Sequence, residues 1–119
     1  MNVRTAGPTH PLERIGVESF EGERLRRAGT WAVAFLADWC PFCREFAPSF
    51  AALEGDGFGV AAADLTDEGS PLWERFEIEV VPSVVVFREG DSLFRANGRL
   101  MEGLGPQDLA RIRSAATAP

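Results

Sequence analysis

The sequence predicts one α/β domain in which a central mixed β-sheet carries helices on both faces. Its 119 residues suffice for one such domain, which we place at residues 11–119 after a flexible tail at residues 1–10. Three apolar runs of strand length carry the prediction: residues 33–37, 58–63 and 84–87. These runs are continuously apolar rather than alternating, which is typical of strands that are buried on both faces.

Before the first of these runs, the sequence predicts a short strand and a helix. Residues 11–15 are predicted to form an edge strand. Residues 18–28 are predicted to form a helix, because Glu23 and Arg27 lie one helical turn apart with the acid first. Gly29 then follows as a typical C-terminal stop.

A second helix is predicted to begin at residues 40–43, which read Cys-Pro-Phe-Cys, and to end near residue 53. Its apolar side chains recur at helical spacing and form one stripe: Phe42, Phe46, Phe50 and Leu53. Pro48 lies inside this helix and is expected to kink it, because proline removes a backbone hydrogen bond.

The C-terminal half is predicted to contain a third helix, a β-hairpin and a final helix. Ser70 and Pro71 are typical of the N-cap and the first residue of a helix. The hairpin is predicted to turn at residues 88–91 and to return along residues 92–96. The final helix is predicted to begin at residues 105–106, which read Gly-Pro.

Charge and composition limit the partners that we expect. The formal net charge is −6, and a phosphate-binding protein needs a basic face, so we expect no nucleic acid partner. No apolar stretch has the length of a membrane span, so we expect no membrane partner. The N-terminus lacks the apolar core of a signal peptide, which predicts a cytoplasmic protein, and we expect a monomer. In that compartment a cysteine pair is more often catalytic or metal-binding than structural.

The two cysteines of the chain, Cys40 and Cys43, are the candidate catalytic residues. A helix N-terminus favours a thiolate at Cys40, and Pro41 fits the first helical position. We therefore expect Cys40 to be the exposed nucleophile and Cys43, one turn further in, to be the less exposed resolving thiol. Cys40 would attack a substrate disulfide, and Cys43 would release the reduced substrate. The redox-active disulfide would be the only cofactor.

Two other interpretations of the cysteines are open at this stage. A structural zinc site wants four ligands, whereas the chain offers two cysteines and the distant His10, so zinc would have to be shared across a dimer. The second interpretation is that the cysteines are two buried thiols with no shared function. The strand–CxxC–helix context favours redox chemistry over both.

Residues 35–44, which read Phe-Leu-Ala-Asp-Trp-Cys-Pro-Phe-Cys-Arg, resemble the active-site strand and helix of the thioredoxin family. The resemblance spans roughly residues 15–115 and continues through three more segments: Ala47-Pro48, residues 64–67, and residues 76–87 with their Val-Pro-Ser. It implies the thioredoxin fold and an enzyme that reduces or exchanges disulfides. The implied partners are disulfide-containing protein substrates and an electron donor, either a thioredoxin-reductase-like enzyme or a low-molecular-weight thiol.

The resemblance also implies a substrate-binding set around the cysteines. The Val81–Pro82 bond would be cis, which would place the Val81 backbone beside Cys40, where it can pair with an extended substrate. Trp39 would lie flat beside the site. The full set is Trp39, Pro41, Phe42, Val81, Pro82 and Gly98. We assign Trp31 and Trp73 to packing and expect Arg44 to be a solvated surface residue.

The sequence departs from the family in three respects near the cysteines. Ala34 stands where thioredoxins usually carry a buried aspartate, and Ala63 where a lysine commonly accompanies it. Water, Asp38 or Asp64 would then have to accept the proton of Cys43. The Pro-Phe dipeptide between the cysteines resembles the Pro-Tyr of glutaredoxins. We expect the Cys40–Cys43 couple to be less reducing than that of thioredoxin, whose reduction potential is about −270 mV. Whether the protein reduces or oxidises its substrates is left open by the sequence.

Two other functions compete with disulfide reduction or exchange. The first is a glutathione-linked oxidoreductase, which needs a cationic groove, and the acidic chain argues against it. The second is a thioredoxin-like binding module with incidental cysteines. The presence of both cysteines together with the Val-Pro-Ser segment argues against that module.

Overall fold

The central sheet is mixed, as predicted. The computed structural model describes residues 12–119, so the predicted tail at residues 1–10 lies outside the described residues. Within residues 12–119, the sheet has five strands in the spatial order β1-β5-β4-β6-β7. They are β1 (Arg14–Ile15), β4 (Thr30–Leu36), β5 (Gly59–Asp64), β6 (Ser83–Arg88) and β7 (Asp91–Ala96). The β4 strand runs parallel to β5 and antiparallel to β6.

The three predicted central strands are confirmed, with ends that differ by up to three residues. The predicted runs at 33–37, 58–63 and 84–87 correspond to β4, β5 and β6. Their interior side chains are buried on both faces of the sheet, as a continuously apolar run requires. Edge strand β1 pairs in parallel with β5 and lies inside the predicted range 11–15.

The predicted helix at residues 18–28 is wrong. A 3₁₀ turn (Val17–Ser19) and a small antiparallel hairpin of β2 (Phe20–Glu21) and β3 (Arg24–Leu25) occupy this segment. Phe20 pairs with Leu25 across the hairpin, and both are buried. Residues five apart point about 140° away from each other on a helix, so a helix would not bury both side chains against one core.

Helices cover both faces of the sheet. The helix α1 (Pro41–Ala51) and the helix α3 (Pro106–Thr117) pack on one face, and the short helix α2 (Leu72–Arg75) on the other. Pro48 lies inside α1, which ends two residues before the predicted end. Ser70 accepts the Leu72 N–H at 3.2 Å, but α2 begins at Leu72 with Pro71 as its N-cap residue, one position later than predicted.

The two faces of the sheet have different cores. Facing α1 and α3 is a cluster that includes Phe46, Phe50 and Ile112. Facing α2 and the β2–β3 hairpin is a cluster of four aromatic rings with centroids 5.0 to 6.2 Å apart, formed by Phe20, Phe35, Phe76 and Phe87. The sheet between these cores fixes the end of β4 beside the start of β6, where the cysteines lie.

Candidate active site

Cys40 is the N-cap residue of α1, directly after the turn that leaves β4. The Cys40 N–H donates to the Ala37 carbonyl at 3.2 Å and closes this turn. Pro41 occupies the first helical position. The Cys43 N–H, an unpaired donor of the first helical turn, points at the Cys40 sulfur at 3.1 Å. The helix N-terminus therefore presents a donor to Cys40 Sγ, as the motif predicts.

Both cysteines are free thiols and both are buried. Cys40 is 4% exposed and Cys43 is 2% exposed, so the prediction of an exposed Cys40 is wrong. The reason is the residue that covers it: Cys40 Sγ donates to the Val81 carbonyl at 3.5 Å. Because the exposures differ by so little, the two thiols are distinguished by their helical positions rather than by access.

The Cys43 thiol resists ionisation. Burial, followed by its hydrogen bond with Cys40, raises the pKa of Cys43 to about 12. The positive charge of Arg44 acts in the opposite direction on this pKa but does not offset the burial. Cys43 is therefore a protonated thiol at neutral pH.

The backbone beside Cys40 is held by a buried serine. The Val81–Pro82 peptide bond is cis. Ser83 Oγ donates to the Val80 carbonyl at 2.7 Å and accepts the Gly98 N–H at 3.0 Å. Ser83 thus joins the Val81–Pro82 turn to the segment after β7. In the sequence, Ser83 is visible only as part of the Val-Pro-Ser motif, and no local pattern indicates this role.

Gly98 lies so close to Pro82 that only glycine fits. A Cβ atom at Gly98 would overlap the Pro82 carbonyl oxygen, a backbone atom that has no freedom to move aside. The structure thus places the Val81 carbonyl beside Cys40 and Gly98 against Pro82.

Trp39 forms an exposed aromatic surface next to the cysteines. It is 48% exposed, and its indole N–H donates to the Thr66 carbonyl at 3.0 Å. Its ring stacks on Trp73 with centroids 6.3 Å apart and planes 9° apart. The assignment of Trp73 to packing therefore understates it, because Trp73 supports a residue of the site. Thr66 also accepts the Asp38 N–H through Oγ1 at 2.9 Å, and sequence reasoning did not single it out.

Charged groups surround the turn before Cys40. Arg14 contacts Asp38 at 2.8 Å and Asp64 at 3.3 Å. Burial raises the pKa of Asp64, but hydrogen bonds from Thr66 and the charge of Arg14 outweigh it, and the pKa is lowered. Asp64 is consequently a weaker base than an ordinary carboxylate. Arg44 donates to the Asp38 carbonyl at 2.8 Å, so it fixes this turn and is not merely solvated.

The strand register shows that the neighbour of Ala34 on β5 is Ala62 and not, as the resemblance implied, Ala63. Ala34 pairs with Ala62 across β4 and β5, whereas Ala63 pairs with Phe35. Side chains alternate between the two faces of a sheet, so Ala63 points away from the face that Ala34 shares. Ala34 packs in the cluster under α1 and Ala63 in the cluster on the opposite face. All three positions are alanine, so neither face offers an ionisable group there.

Within residues 12–119, no group of three or more His, Cys, Asp or Glu side chains is arranged to hold a metal ion. None of the helices in the described part of the chain is long and apolar enough to cross a membrane. His10 lies outside the described residues.

The family model for thioredoxin matches residues 13–106, which include the cysteines, the Val81–Pro82 turn and Gly98. The chain belongs to the thioredoxin family. It is similar to the solved structure of thioredoxin f from spinach chloroplasts, with a TM-score of 0.72 and 17% identity over 93% of this chain and 90% of that one. This similarity shows the thioredoxin fold.

Sequence relatives are thiol oxidoreductases by name. Sulfhydryl oxidase 1 of Gallus gallus is 35% identical over 88 residues, which are 68% of this chain and 12% of that protein. Thioredoxin of Rhodospirillum rubrum is 29% identical over 82 residues, 66% of this chain and 78% of that one. The chain therefore spans only a small part of the sulfhydryl oxidase. These relatives share with this chain a thioredoxin-like domain of the thiol oxidoreductase kind.

Proposed function

We propose that this protein is a disulfide oxidoreductase that reduces or exchanges protein disulfides through Cys40 and Cys43. One observation carries the proposal: Cys40 Sγ caps α1, receives the Cys43 N–H at 3.1 Å and lies 3.5 Å from the Val81 carbonyl. A sulfur in this position has a donor for its negative charge, a neighbouring thiol three residues on, and a backbone edge for substrate.

The reaction proceeds in two exchanges. The Cys40 thiolate attacks one sulfur of the substrate disulfide, whose S–S bond breaks, and the second substrate sulfur leaves as a thiolate and takes up a proton. Cys43 then loses its proton and attacks Cys40 Sγ, which releases the first substrate sulfur as a thiol. Two electrons have passed to the substrate, and Cys40 and Cys43 share a disulfide. A reductase enzyme or a low-molecular-weight thiol restores the dithiol.

The substrate is proposed to bind as an extended segment beside the Val81–Pro82 turn. Backbone edges of this kind pair with extended peptides by main-chain hydrogen bonds. Gly98, which has no side chain, leaves room next to Pro82. Trp39, together with Pro41 and Phe42, provides the apolar rim of this site.

The test is a trapping experiment with two matched variants. Cys43→Ser removes the resolving thiol, so incubation with native, disulfide-bonded insulin should leave a stable mixed disulfide that mass spectrometry detects at Cys40. Cys40→Ser differs by the same single atom and should trap nothing. A mixed disulfide at Cys43 in the Cys40→Ser variant, or none in either, would contradict the assignment.

A second candidate is the opposite net direction, the oxidation of dithiols. Similarity to a protein named as a sulfhydryl oxidase supports it. The reduction potential of the Cys40–Cys43 couple in a defined glutathione buffer separates the two directions. A value of about −270 mV indicates a reductase, and one of about −120 mV indicates an oxidant.

A further inference from the structure

An exposed apolar pair lies on the segment that follows Gly98. Leu100 and Met101 are each 76% exposed, more than any other large apolar side chain in the described part of the chain. Single exposed apolar residues are common, but adjacent ones form a patch, and such patches mark interaction sites. We call residues 99–103 the apolar hairpin.

The apolar hairpin is a fixed structure. Arg99 and Gly103 exchange two backbone hydrogen bonds, of 3.1 and 2.8 Å. The Arg99 side chain pairs with Asp108 at 3.1 Å, and Asp108 is buried and also accepts the Gly105 N–H at 2.7 Å. These contacts hold the backbone of the hairpin while Leu100 and Met101 stay exposed to solvent. A partner would therefore not have to order this loop when it binds.

The hairpin borders the proposed substrate site at both ends. At its start, Gly98 lies against the Pro82 carbonyl. At its end, a side chain on Gly103 would come within 3.0 Å of Phe42 Cβ. A groove of about 100 Å³ continues from there between α1 and the start of α3, with walls that include Phe42, Phe46, Leu104 and Leu109.

We propose that the apolar hairpin and this groove form a second docking surface for protein substrates. They would recognise an apolar residue and a basic residue that flank the target disulfide. This inference rests on the proposed function. Glu45 and Glu102 line the groove. Glu102 is paired with Arg99 at 3.3 Å, so the negative charge that favours a cationic neighbour beside the apolar anchor is that of Glu45.

The same charges argue against two other occupants. A second copy of the chain in a two-fold interface would bring this acidic rim against itself. An anionic lipid surface would be repelled by a chain whose formal net charge is −6. Neither repulsion applies to a substrate segment that is basic and apolar. Such a segment is also the expected occupant because the surface adjoins the proposed redox pair.

The test uses a double variant and a matched control. Leu100→Ser combined with Met101→Asn removes both apolar side chains, and asparagine tolerates the positive φ of 64° at position 101. Leu93→Ser removes an apolar side chain that is 47% exposed on β7, towards the opposite end of the sheet from Cys40. Thermal melts check that each variant folds.

Three disulfide probes are compared by kcat/KM. They are a cyclic peptide with Leu and Arg next to its cysteines, the same peptide with Ser and Asp there, and 5,5′-dithiobis(2-nitrobenzoic acid). Wild type should prefer the Leu/Arg peptide by about 10-fold, which corresponds to about 1.4 kcal/mol. The double variant should lose most of this preference and keep its rate with the small disulfide, and Leu93→Ser should match wild type on all three.

The outcomes separate the two proposals. If wild type reduces none of the probes, the proposed function fails and this inference fails with it. If wild type reduces the small disulfide but shows no peptide preference, or the double variant keeps the preference, only the docking surface is overturned. The same holds if the double variant abolishes self-association in sedimentation velocity or binding to lipid vesicles seen with wild type, because another occupant would then use the patch.

Discussion

Ala34 lies directly opposite Ala62 in the pairing of β4 with β5, and both are buried on the side of the sheet that α1 covers. The helix α1 carries Cys43 in its first turn. No carboxylate therefore reaches the resolving thiol from this part of the sheet. Asp38 and Asp64, the other acids near the strand ends, are both paired with Arg14.

Ala34→Asp should raise the rate of disulfide reduction at neutral pH, because a carboxylate under α1 would accept the Cys43 proton. The free energy of unfolding should fall by about 1–3 kcal/mol, since the change buries an acid in an apolar strand. An insulin-reduction assay at pH 7 measures the first effect and denaturant melts the second.

Ala32→Asp is the matched control for this prediction. Ala32 is as deeply buried as Ala34 and lies on the same face of the sheet, but it is two residues further from the end of β4 beside which the cysteines lie. It should lose comparable stability without any gain in rate. Equal gains from both substitutions would mean that the carboxylate does not act on Cys43.

Turnover should climb with pH between about 6 and 9 if the resolving step limits the rate. The pKa of Cys43 is raised to about 12 by burial, so this whole range lies below it. There, each unit of pH multiplies the small thiolate fraction about tenfold. The measurement is the insulin-reduction rate across the range, compared with the rate at which Cys43→Ser forms its mixed disulfide. A wild-type rate that is already high and flat would show that another group accepts the proton.

The central strands were predictable because each one is a continuous apolar run whose burial does not depend on distant details. The hairpin of Phe20 and Leu25 was not predictable in this way. Locally, Glu23, Arg27 and Gly29 favour a helix, but an ion pair of that kind is worth only about 0.2–0.5 kcal/mol. Burying Phe20 and Leu25 against the aromatic core is worth several times more, and that core exists only in the folded chain.

The active site likewise combines features that short motifs predict with features that depend on contacts between distant residues. Cys40, Cys43 and the Val81–Pro82 turn are visible as short motifs. Arg14 contacts Asp38, 24 positions away, and Ser83 contacts Gly98, 15 positions away. No local sequence pattern predicts contacts over such separations. The burial of Cys40 has the same origin, because the Val81 carbonyl that covers it lies 41 residues away in the sequence.

Gly98→Ala should destabilise the protein by about 1–3 kcal/mol and slow the reduction of protein disulfides, because the added methyl group overlaps the Pro82 carbonyl. Gly105→Ala is the control, since a Cβ atom there meets nothing within 4 Å. Denaturant melts and insulin reduction are measured on both. A Gly98→Ala protein as stable and as active as Gly105→Ala would show that the contact with Pro82 is not tight in solution.

Ser83→Ala should separate the two backbone segments that border Cys40. Ser83 is almost fully buried, and its hydroxyl group bonds to both the Val80 carbonyl and the Gly98 N–H. Its removal leaves two half-buried backbone groups without their partner, so stability should fall by about 1–3 kcal/mol.

The rate with protein disulfides should fall more than the rate with 5,5′-dithiobis(2-nitrobenzoic acid), because the larger substrate depends on the position of the Val81 backbone and the smaller one chiefly on Cys40. Ser92→Ala, at an exposed position of β7, controls for the loss of a hydroxyl group. Ser83→Thr keeps the hydroxyl group and should recover part of the selectivity if the cavity admits the methyl group. Equal losses on both substrates would reduce Ser83 to a purely structural role, since a general loss of folded protein affects all substrates alike.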